Sequence, residues 1–183
     1  MQYELTTPCT AADLAPLKAG DTVLLSGVVY TARDQAHKRM LEALDKGEKL
    51  PFDLEGSAIY YVGPTPERPG CAIGAAGPTT SGRMDAYTPR LLDLGLACMI
   101  GKGKRTDAVK QSVVKNGAVY LAALGGAGAL MAKSVQTLEV IAWPDLGCEA
   151  VRRLTVQDMP LTVILDAHGG DLYLEGPEAY RNR

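Results

Sequence analysis

The amino-acid sequence predicts an α/β fold arranged as one domain over residues 1–183. Short apolar runs that suit strands alternate with amphipathic stretches that suit helices, a pattern typical of α/β proteins. Neither an internal repeat nor a low-complexity linker divides the chain. Hydrophobic residues make up 46% of the sequence and charged residues 22%, which is ordinary for a globular domain. A β-rich C-terminal stretch argues against a plain doubly wound sheet.

The first elements follow a leader of mixed polarity over residues 1–20, which ends in a turn. Residues 23–30 are apolar on both alternating faces, so they predict a strand covered on both sides. Thr31 then stands where an N-cap would, ahead of a helical pattern that should end near Gly47.

The middle of the chain continues the alternation. A strand over 58–62 precedes a loop over 63–70 that is rich in proline and glycine. The hydroxyls of Thr79, Thr80 and Ser81 follow a small-residue turn and are placed to cap a helix.

The second half of the chain contains most of the predicted strands. A short strand over 97–100 leads to a helix that starts at Thr106 and stops at Gly117. A glycine turn and a short helix follow the next strand. The remaining strands are predicted over 119–124, 138–142, 151–156 and 161–166.

Charge and hydropathy limit the classes of partner. The 19 basic and 21 acidic side chains leave a formal net charge of -2, too weak a field to attract nucleic acid or an anionic membrane. The longest apolar stretch, residues 118–132, is shorter than the roughly 20 residues of a spanning helix. Because the first residues lack the basic and apolar regions of an export signal, we expect a cytoplasmic location.

The cysteines of the chain do not predict a metal site. They lie far apart and form no C-x-x-C pair, so neither a zinc knuckle nor a disulfide framework is indicated. We expect them to be ordinary thiols and the chain to bind no metal. They are Cys9, Cys71, Cys98 and Cys148.

Three polar segments share one pattern, in which an apolar run is followed by cations or hydroxyls near a predicted helix start. They are residues 31–39, 77–85 and 100–105. Ligands of α/β sheets collect where strands end and loops turn into helices, and helix N-termini favour anions. Arg33, Arg83 and Lys102 are therefore expected to converge on one anion.

The residue types favour a dicarboxylate as that anion. The planar fork of arginine matches a carboxylate with two parallel hydrogen bonds. Phosphate is the rival ligand, but the segment around Lys102 lacks the spacing of a Walker loop. Each candidate also has a purely structural explanation, in which the cations lie on solvated surfaces and the hydroxyls cap helices.

Short motifs along nearly the whole chain, taken in their order and spacing, resemble the β-type region of class I fumarases and L-tartrate dehydratases. Any one of them could arise by chance, whereas their shared order is hard to explain in that way. They are Ala32-Arg33-Asp34-x-Ala36-His37, Tyr61-x-Gly63-Pro64, Gly77-Pro78-Thr79-Thr80-Ser81-x-Arg83-Met84-Asp85, Ile100-Gly101-Lys102-Gly103, Gly125-Gly126-Ala127, Leu146-Gly147-x-Glu149-Ala150 and Val156-x-Asp158-x-Pro160.

The resemblance implies a fold, a reaction and a partner. The fold is a swivelling β/β/α domain with a mixed sheet and flanking helices. The reaction is the reversible hydration of a C4 dicarboxylate, fumarate to malate, with L-tartrate dehydration as the alternative. A [4Fe–4S] cluster is expected in a partner alpha subunit and not in this chain, so we expect an oligomer. A non-catalytic dicarboxylate-binding or assembly module is the alternative from another class.

The resemblance also implies roles for individual residues. Thr79 aligns with the family's proposed base, while Arg33, Arg83 and Lys102 would stabilise the charge that develops on the substrate carboxylate. The remaining residues fall into three groups: Thr80 and Ser81 as substrate contacts or caps, Asp34 and His37 as groups that orient Arg33, and Lys104 as an alternative cation.

Overall fold

The computed structural model describes residues 1–124 and 126–181, so Gly125 of the predicted glycine turn lies outside the described residues. The described chain forms a seven-stranded mixed sheet with flanking helices, as predicted. The strands are β1 (Gln2–Thr7), β2 (Thr22–Thr31), β3 (Ala58–Tyr60), β4 (Cys98–Gly101), β5 (Val119–Ala122), β6 (Val135–Ala142) and β7 (Val151–Leu165). The α-helices are α1 (Ala11–Leu14), α2 (Asp34–Asp45), α3 (Thr88–Leu92), α4 (Asp107–Asn116), α5 (Gly128–Lys133) and α6 (Leu172–Arg181), with 3-10 turns at Ser81–Met84 and Pro144–Glu149.

The sheet closes on itself. Strands β1 to β5 are parallel to their neighbours, and β7 runs antiparallel to both β5 and β2. Because β7 joins the two ends of the row β2-β3-β4-β5, five strands form a closed ring. Strand β1 pairs with the part of β2 that the ring leaves free, and β6 pairs likewise with β7. Closure removes the edges that an open five-stranded sheet would expose.

The core has two layers because successive side chains of a strand point to opposite faces. Ala58 and Tyr60 of β3 belong to one buried cluster, which draws residues from all five strands of the ring. Ile59 and Tyr61 belong to the second cluster, which packs beneath α2, α3 and α4. Helices α2, α3 and α4 therefore cover the outer face of the ring, and the first cluster is its inner cluster.

The prediction of two separate strands over 151–156 and 161–166 is wrong, because β7 is one strand over Val151–Leu165. The ladder with β2 shifts register between Leu25 and Gly27, and Asp158 takes a positive φ of 50° at this point. The backbone N–H of Asp158 donates to the Ser26 hydroxyl at 3.0 Å. Such a bulge bends a strand without ending it, so the polar segment that resembles a turn lies within one long strand.

The predicted leader over residues 1–20 is also wrong, because it contains β1 and α1. Thr10 caps α1 through a reciprocal pair of hydrogen bonds with Asp13, the capping-box arrangement. Leu5 and Leu14 are buried, which anchors both elements to the inner cluster. Mixed polarity here reflects an edge strand and a single-turn helix, each with one buried side.

Two predicted caps are wrong. Thr31 is the last residue of β2, and its hydroxyl bonds Ala150 and Arg152 of the neighbouring chain segment instead. Helix α2 begins one residue after Arg33. The hydroxyls at 79–81 make no capping bond to the 3-10 turn that follows. The predicted stop of α4 is confirmed, because Gly117 has a left-handed φ of 63°.

Among the described residues, every helix is too short or too polar to reach across a bilayer.

Candidate active site

The three predicted polar segments meet at one edge of the ring. Arg33 follows β2 and Lys102 follows β4, and these parallel strands flank β3. Thr79 lies between the ends of β3 and β4: its backbone N–H donates to Tyr61 at 2.7 Å, and its neighbour Thr80 bridges to Lys102. The carboxyl ends of parallel strands thus bring Arg33, Thr79 and Lys102 to a common edge, where ligands of such sheets bind.

Ser81 binds the segment that contains Thr79 and Thr80 to the Gly-Lys-Gly loop at the end of β4. Its backbone N–H donates to the Lys102 carbonyl at 2.9 Å, and its hydroxyl accepts from the Lys102 N–H at 3.0 Å. The Tyr120 hydroxyl donates to the Gly103 carbonyl at 2.9 Å. The Ser81 hydroxyl, 2.8 Å from that of Tyr120, must therefore be the donor of the bond between them.

The Ser81 side chain is fully buried, and both its donor and an acceptor site are used within the chain. Burial raises the pKa of the Tyr120 hydroxyl well above its usual range, so this group remains a donor. Substrate contact, the predicted role of Ser81, would require one of these bonds to break. We therefore expect Ser81 to hold the loop in place.

Position 101 requires glycine because Ser81 approaches it closely. A Cβ at position 101 would overlap the Ser81 hydroxyl and lie 2.9 Å from the Tyr61 ring. We expect Gly101→Ala to lower the free energy of unfolding by about 1–3 kcal/mol, the usual cost of overpacking. Urea unfolding measures the change. Gly82→Ala is the matched control, because a Cβ there meets nothing closer than 3.8 Å; equal losses in both variants would contradict the prediction.

The Arg33 side chain lies between the start of α2 and the 3-10 turn before β7. Its Nη2 lies 3.2 Å from a Glu149 oxygen and 3.8 Å from Asp34, and its guanidinium packs where a Cβ of Gly63 would stand. The second Glu149 oxygen accepts the backbone N–H of Gln35 at 3.1 Å, at the N-terminus of α2. The Nε of Arg33 is buried without a partner among the described residues, so a donor remains available.

His37 fastens Arg33 through the backbone. Its backbone N–H and its Nδ1 each lie 2.9 Å from the Arg33 carbonyl oxygen, so Nδ1 carries the hydrogen. The ring is fully buried and lies edge-on to Tyr61, with its Nε2 unpaired among the described residues. Burial lowers the pKa of His37 to about 4, only partly offset by the bond to Arg33. The imidazole is therefore neutral at pH 7.

This burial predicts a loss of stability in acid. The unfolded state protonates His37 near the ordinary histidine pKa of 6.5, whereas burial lowers the pKa to about 4 in the folded state. The contribution of neutral His37 to the free energy of unfolding is therefore complete above pH 6.5. It is lost as the pH falls toward 4, by about 3 kcal/mol in total. Unfolding of the wild type should lose this amount relative to His37→Gln between pH 7 and pH 4.

The control is the other histidine of the chain, His168, which is exposed. His168→Gln, which leaves the buried His37 in place, should still lose stability in acid. An identical dependence in His37→Gln and the wild type would show that His37 takes up a proton as readily in the folded state as in the unfolded state.

Three cationic side chains at this edge have no acidic partner among the described residues. Arg83 lies on the 3-10 turn after Thr79, and Lys102 and Lys104 lie on the loop after β4; all three are exposed. None of them forms an ion pair within residues 1–124 and 126–181. Thr79 is partly buried beside them. Cations without internal partners are available to an anionic ligand.

Sequence reasoning missed four residues that shape this edge. Glu149 pairs with Arg33, Tyr120 anchors the Lys102 loop, and Arg105 is buried against Asp85. Glu149 and Asp85 stand inside the quoted motifs, a signal that could have identified them. Tyr120 and Arg105 have no such signal, because their role depends on partners far along the chain.

The thiols among the described residues do not form a set that fits an iron–sulfur cluster. In the described part of the chain, no three His, Cys, Asp or Glu side chains form a group that could hold a metal ion. Cys9 and Cys98 are buried in the core, whereas Cys71 and Cys148 are exposed. A cluster needs three or four thiolates that point into one cavity.

Comparison with known proteins places the chain in a family. Residues 1–176 match the family model described as Fumarase C-terminus. The chain belongs to this Fumarase C-terminus family.

The relatives of this chain differ in the share of their own length that the match covers. It is 39% identical over 162 residues to "Fumarate hydratase 2" of Leishmania major and 37% identical over 164 residues to "Fumarate hydratase class I, aerobic" of Escherichia coli K12. Those matches cover 87% and 88% of the chain but only 28% and 30% of the relatives. The chain therefore spans less than a third of these relatives.

A third relative has a similar size. The chain is 41% identical over 172 residues to "Putative L(+)-tartrate dehydratase subunit beta" of Methanocaldococcus jannaschii. This match covers 91% of the chain and 88% of the relative. The Fumarase C-terminus fold thus also occurs in a relative named as a separate subunit.

Proposed function

We propose that the chain is the beta subunit of an iron–sulfur hydro-lyase that adds water to a C4 dicarboxylate, converting fumarate to malate in the cytoplasm. The observation that carries this proposal is the common edge of the ring, where the segment that bears Thr79 and Arg83 bridges to Lys102 and Arg33 packs against Gly63 after β3. Membership of the Fumarase C-terminus family supports the reaction class. The fold would act as a swivelling β/β/α domain that closes on a cluster-bearing alpha subunit.

The cations of this chain would bind and stabilise the substrate. Removal of a proton from the carbon beside a carboxylate leaves negative charge on that carboxylate. Arg33, Arg83 and Lys102 would hold its oxygens with fixed positive charge, which is worth most where water is excluded. Glu149 would keep Arg33 aimed at the substrate. Arg33 retains its buried Nε as a donor for this purpose.

Thr79 would take up the proton at its hydroxyl oxygen. A free hydroxyl is too weak an acid to be ionised near neutral pH, so the charges around it must favour the alkoxide. The exposed cations on the adjoining turn and loop supply that field. The bond from its backbone N–H to Tyr61 fixes the position of the residue between the two strands.

The cluster would lie outside this chain, in the alpha subunit. When bound there, it would supply an open iron that acts as a Lewis acid toward the substrate's carboxylate and hydroxyl oxygens.

L-tartrate dehydration is the second candidate reaction. It is favoured by the Methanocaldococcus jannaschii relative, of which the chain matches 88%. Both substrates are C4 dicarboxylates, so the same cations would serve either one. The two reactions differ in the second hydroxyl of tartrate.

The test is anaerobic co-expression with a larger chain from a neighbouring reading frame that carries three well-separated cysteines. Co-purification, an iron–sulfur absorption band and turnover of fumarate and malate are the expected results, and turnover of tartrate alone would select the second candidate. A stable complex with a bound cluster but no turnover of any of the three would overturn the proposal. The lack of any such partner chain would overturn it in favour of a non-catalytic dicarboxylate-binding or assembly module that works without a cluster partner.

A further inference from the structure

An ion pair between Asp85 and Arg105 is buried directly beneath the candidate site. The Arg105 side chain has no exposed surface and that of Asp85 is 6% exposed. Arg105 Nε donates to one Asp85 oxygen at 2.6 Å, and the other oxygen accepts the backbone N–H of Thr106 at 2.6 Å. Both carboxylate oxygens therefore hold the segment that ends the Lys102–Lys104 loop.

The other nitrogens of Arg105 are used as well. Its Nη2 donates to the Thr88 hydroxyl at 2.9 Å, and that hydroxyl donates to the Met84 carbonyl at 2.8 Å. Its guanidinium lies 4.9 Å from the Tyr120 ring centre and 5.4 Å from that of Tyr61. A planar group with directed donors and two aromatic neighbours meets these demands, whereas an ammonium does not.

The pair completes a double connection between the two cationic segments. Ser81 binds the start of the loop at Lys102, and Asp85 binds its end at Arg105. Arg83 projects from the turn between Ser81 and Asp85. The turn and the loop are thus joined on both sides of their exposed cations.

We infer that Asp85 and Arg105 are positioning residues, which hold Arg83 and Lys102 at a fixed separation for one dicarboxylate. The inference rests on the proposed function for its ligand, but the connection between the two segments does not. A buried ion pair is weak evidence for stability, because well-packed apolar residues often serve as well. Its value here is geometric, since like charges on adjacent loops repel and would otherwise separate.

Arg105→Lys tests the inference, because it keeps the charge and removes the fork. Hydrogen–deuterium exchange of the full chain should show faster exchange of the amides over 102–106, with the sheet amides of β3 and β4 unchanged. In the reconstituted complex, kcat/KM should fall by about 10²-fold, the effect of a displacement of about 1 Å in substrate-binding groups, with a raised KM.

The matched control is Val113→Ala, which removes buried volume from α4 and keeps the hydrogen bonds of the pair. Its exchange over 102–106 and its KM should remain those of the wild type at a similar loss in Tm. Thr88→Val, which removes the Nη2 bond together with the bond to the Met84 carbonyl and leaves the Asp85–Arg105 pair in place, should give a smaller change in the same direction and serves if Arg105→Lys does not fold. Equal exchange and equal KM in Arg105→Lys and Val113→Ala would overturn the inference. The exchange result does not depend on turnover, so it separates this failure from failure of the proposed function.

Discussion

Thr79→Ala is expected to leave the fold intact and to reduce turnover of the reconstituted complex by about 10³-fold, within the range for loss of a general base. The Thr79 side chain makes no hydrogen bond within the described residues, whereas its backbone N–H, which holds the segment to Tyr61, is kept in the variant. The hydroxyl that would receive the substrate proton is lost, together with the γ-methyl group. Steady-state assays with fumarate and with malate measure the effect.

Two companion variants separate chemistry from structure. Thr79→Ser keeps the hydroxyl and should recover a substantial part of the activity. Thr137→Ala removes an exposed threonine from β6, far along the chain from the site, and should leave turnover unchanged. Near-normal turnover in Thr79→Ala, with unaltered cluster content, would reject Thr79 as the base.

Arg83→Met is expected to lower kcat/KM by about 10²- to 10³-fold, the usual loss when a group that stabilises transition-state charge is removed. Arg83 is exposed and has no ion pair among residues 1–124 and 126–181, so its removal leaves no carboxylate unpaired and should alter Tm little. The loss should appear in both kcat and KM, because a cation at the substrate carboxylate acts in the ground state and more strongly in the transition state.

Arg90→Met is the matched control for this charge change. Arg90 lies in α3 and pairs with Asp45 on the surface. It carries the same charge and is also exposed, so a general electrostatic effect on dicarboxylate capture would appear in both variants. Unchanged kcat/KM in Arg83→Met, or equal losses in the two variants, would show that Arg83 is not aimed at the substrate.

Local patterns in the sequence predicted most of the elements. The apolar run before Thr31 and the alternation around Ile59 and Met99 depend on the period of a strand, which any short window contains. The stop of α4 at Gly117 depends on one residue's tolerance of a left-handed φ. These predictions needed no knowledge of the rest of the chain, and the structure confirms them.

The incorrect predictions concern segments whose partners are distant. The hydroxyls at 79–81 resemble a helix cap, but residues 78–80 form bridges to Val62 and Lys102 and so are held extended. Strand β7 contains Asp158 and Pro160, which resemble a turn until a bulge against Ser26 accommodates them. In each case a tertiary pairing replaces the local preference.

The sequence alone determined the residue types, the order of strands and helices, and the motifs that indicate the family. Only the tertiary structure decided that β7 closes the ring, that Arg105 is buried, and that the Ser81 hydroxyl bonds Tyr120. Hydrophobic period and turn chemistry act over a few neighbours, so they are legible in sequence. Burial and hydrogen bonding at the site join residues such as Ser81 and Tyr120, 39 positions apart, and their energies exist only once the sheet has formed.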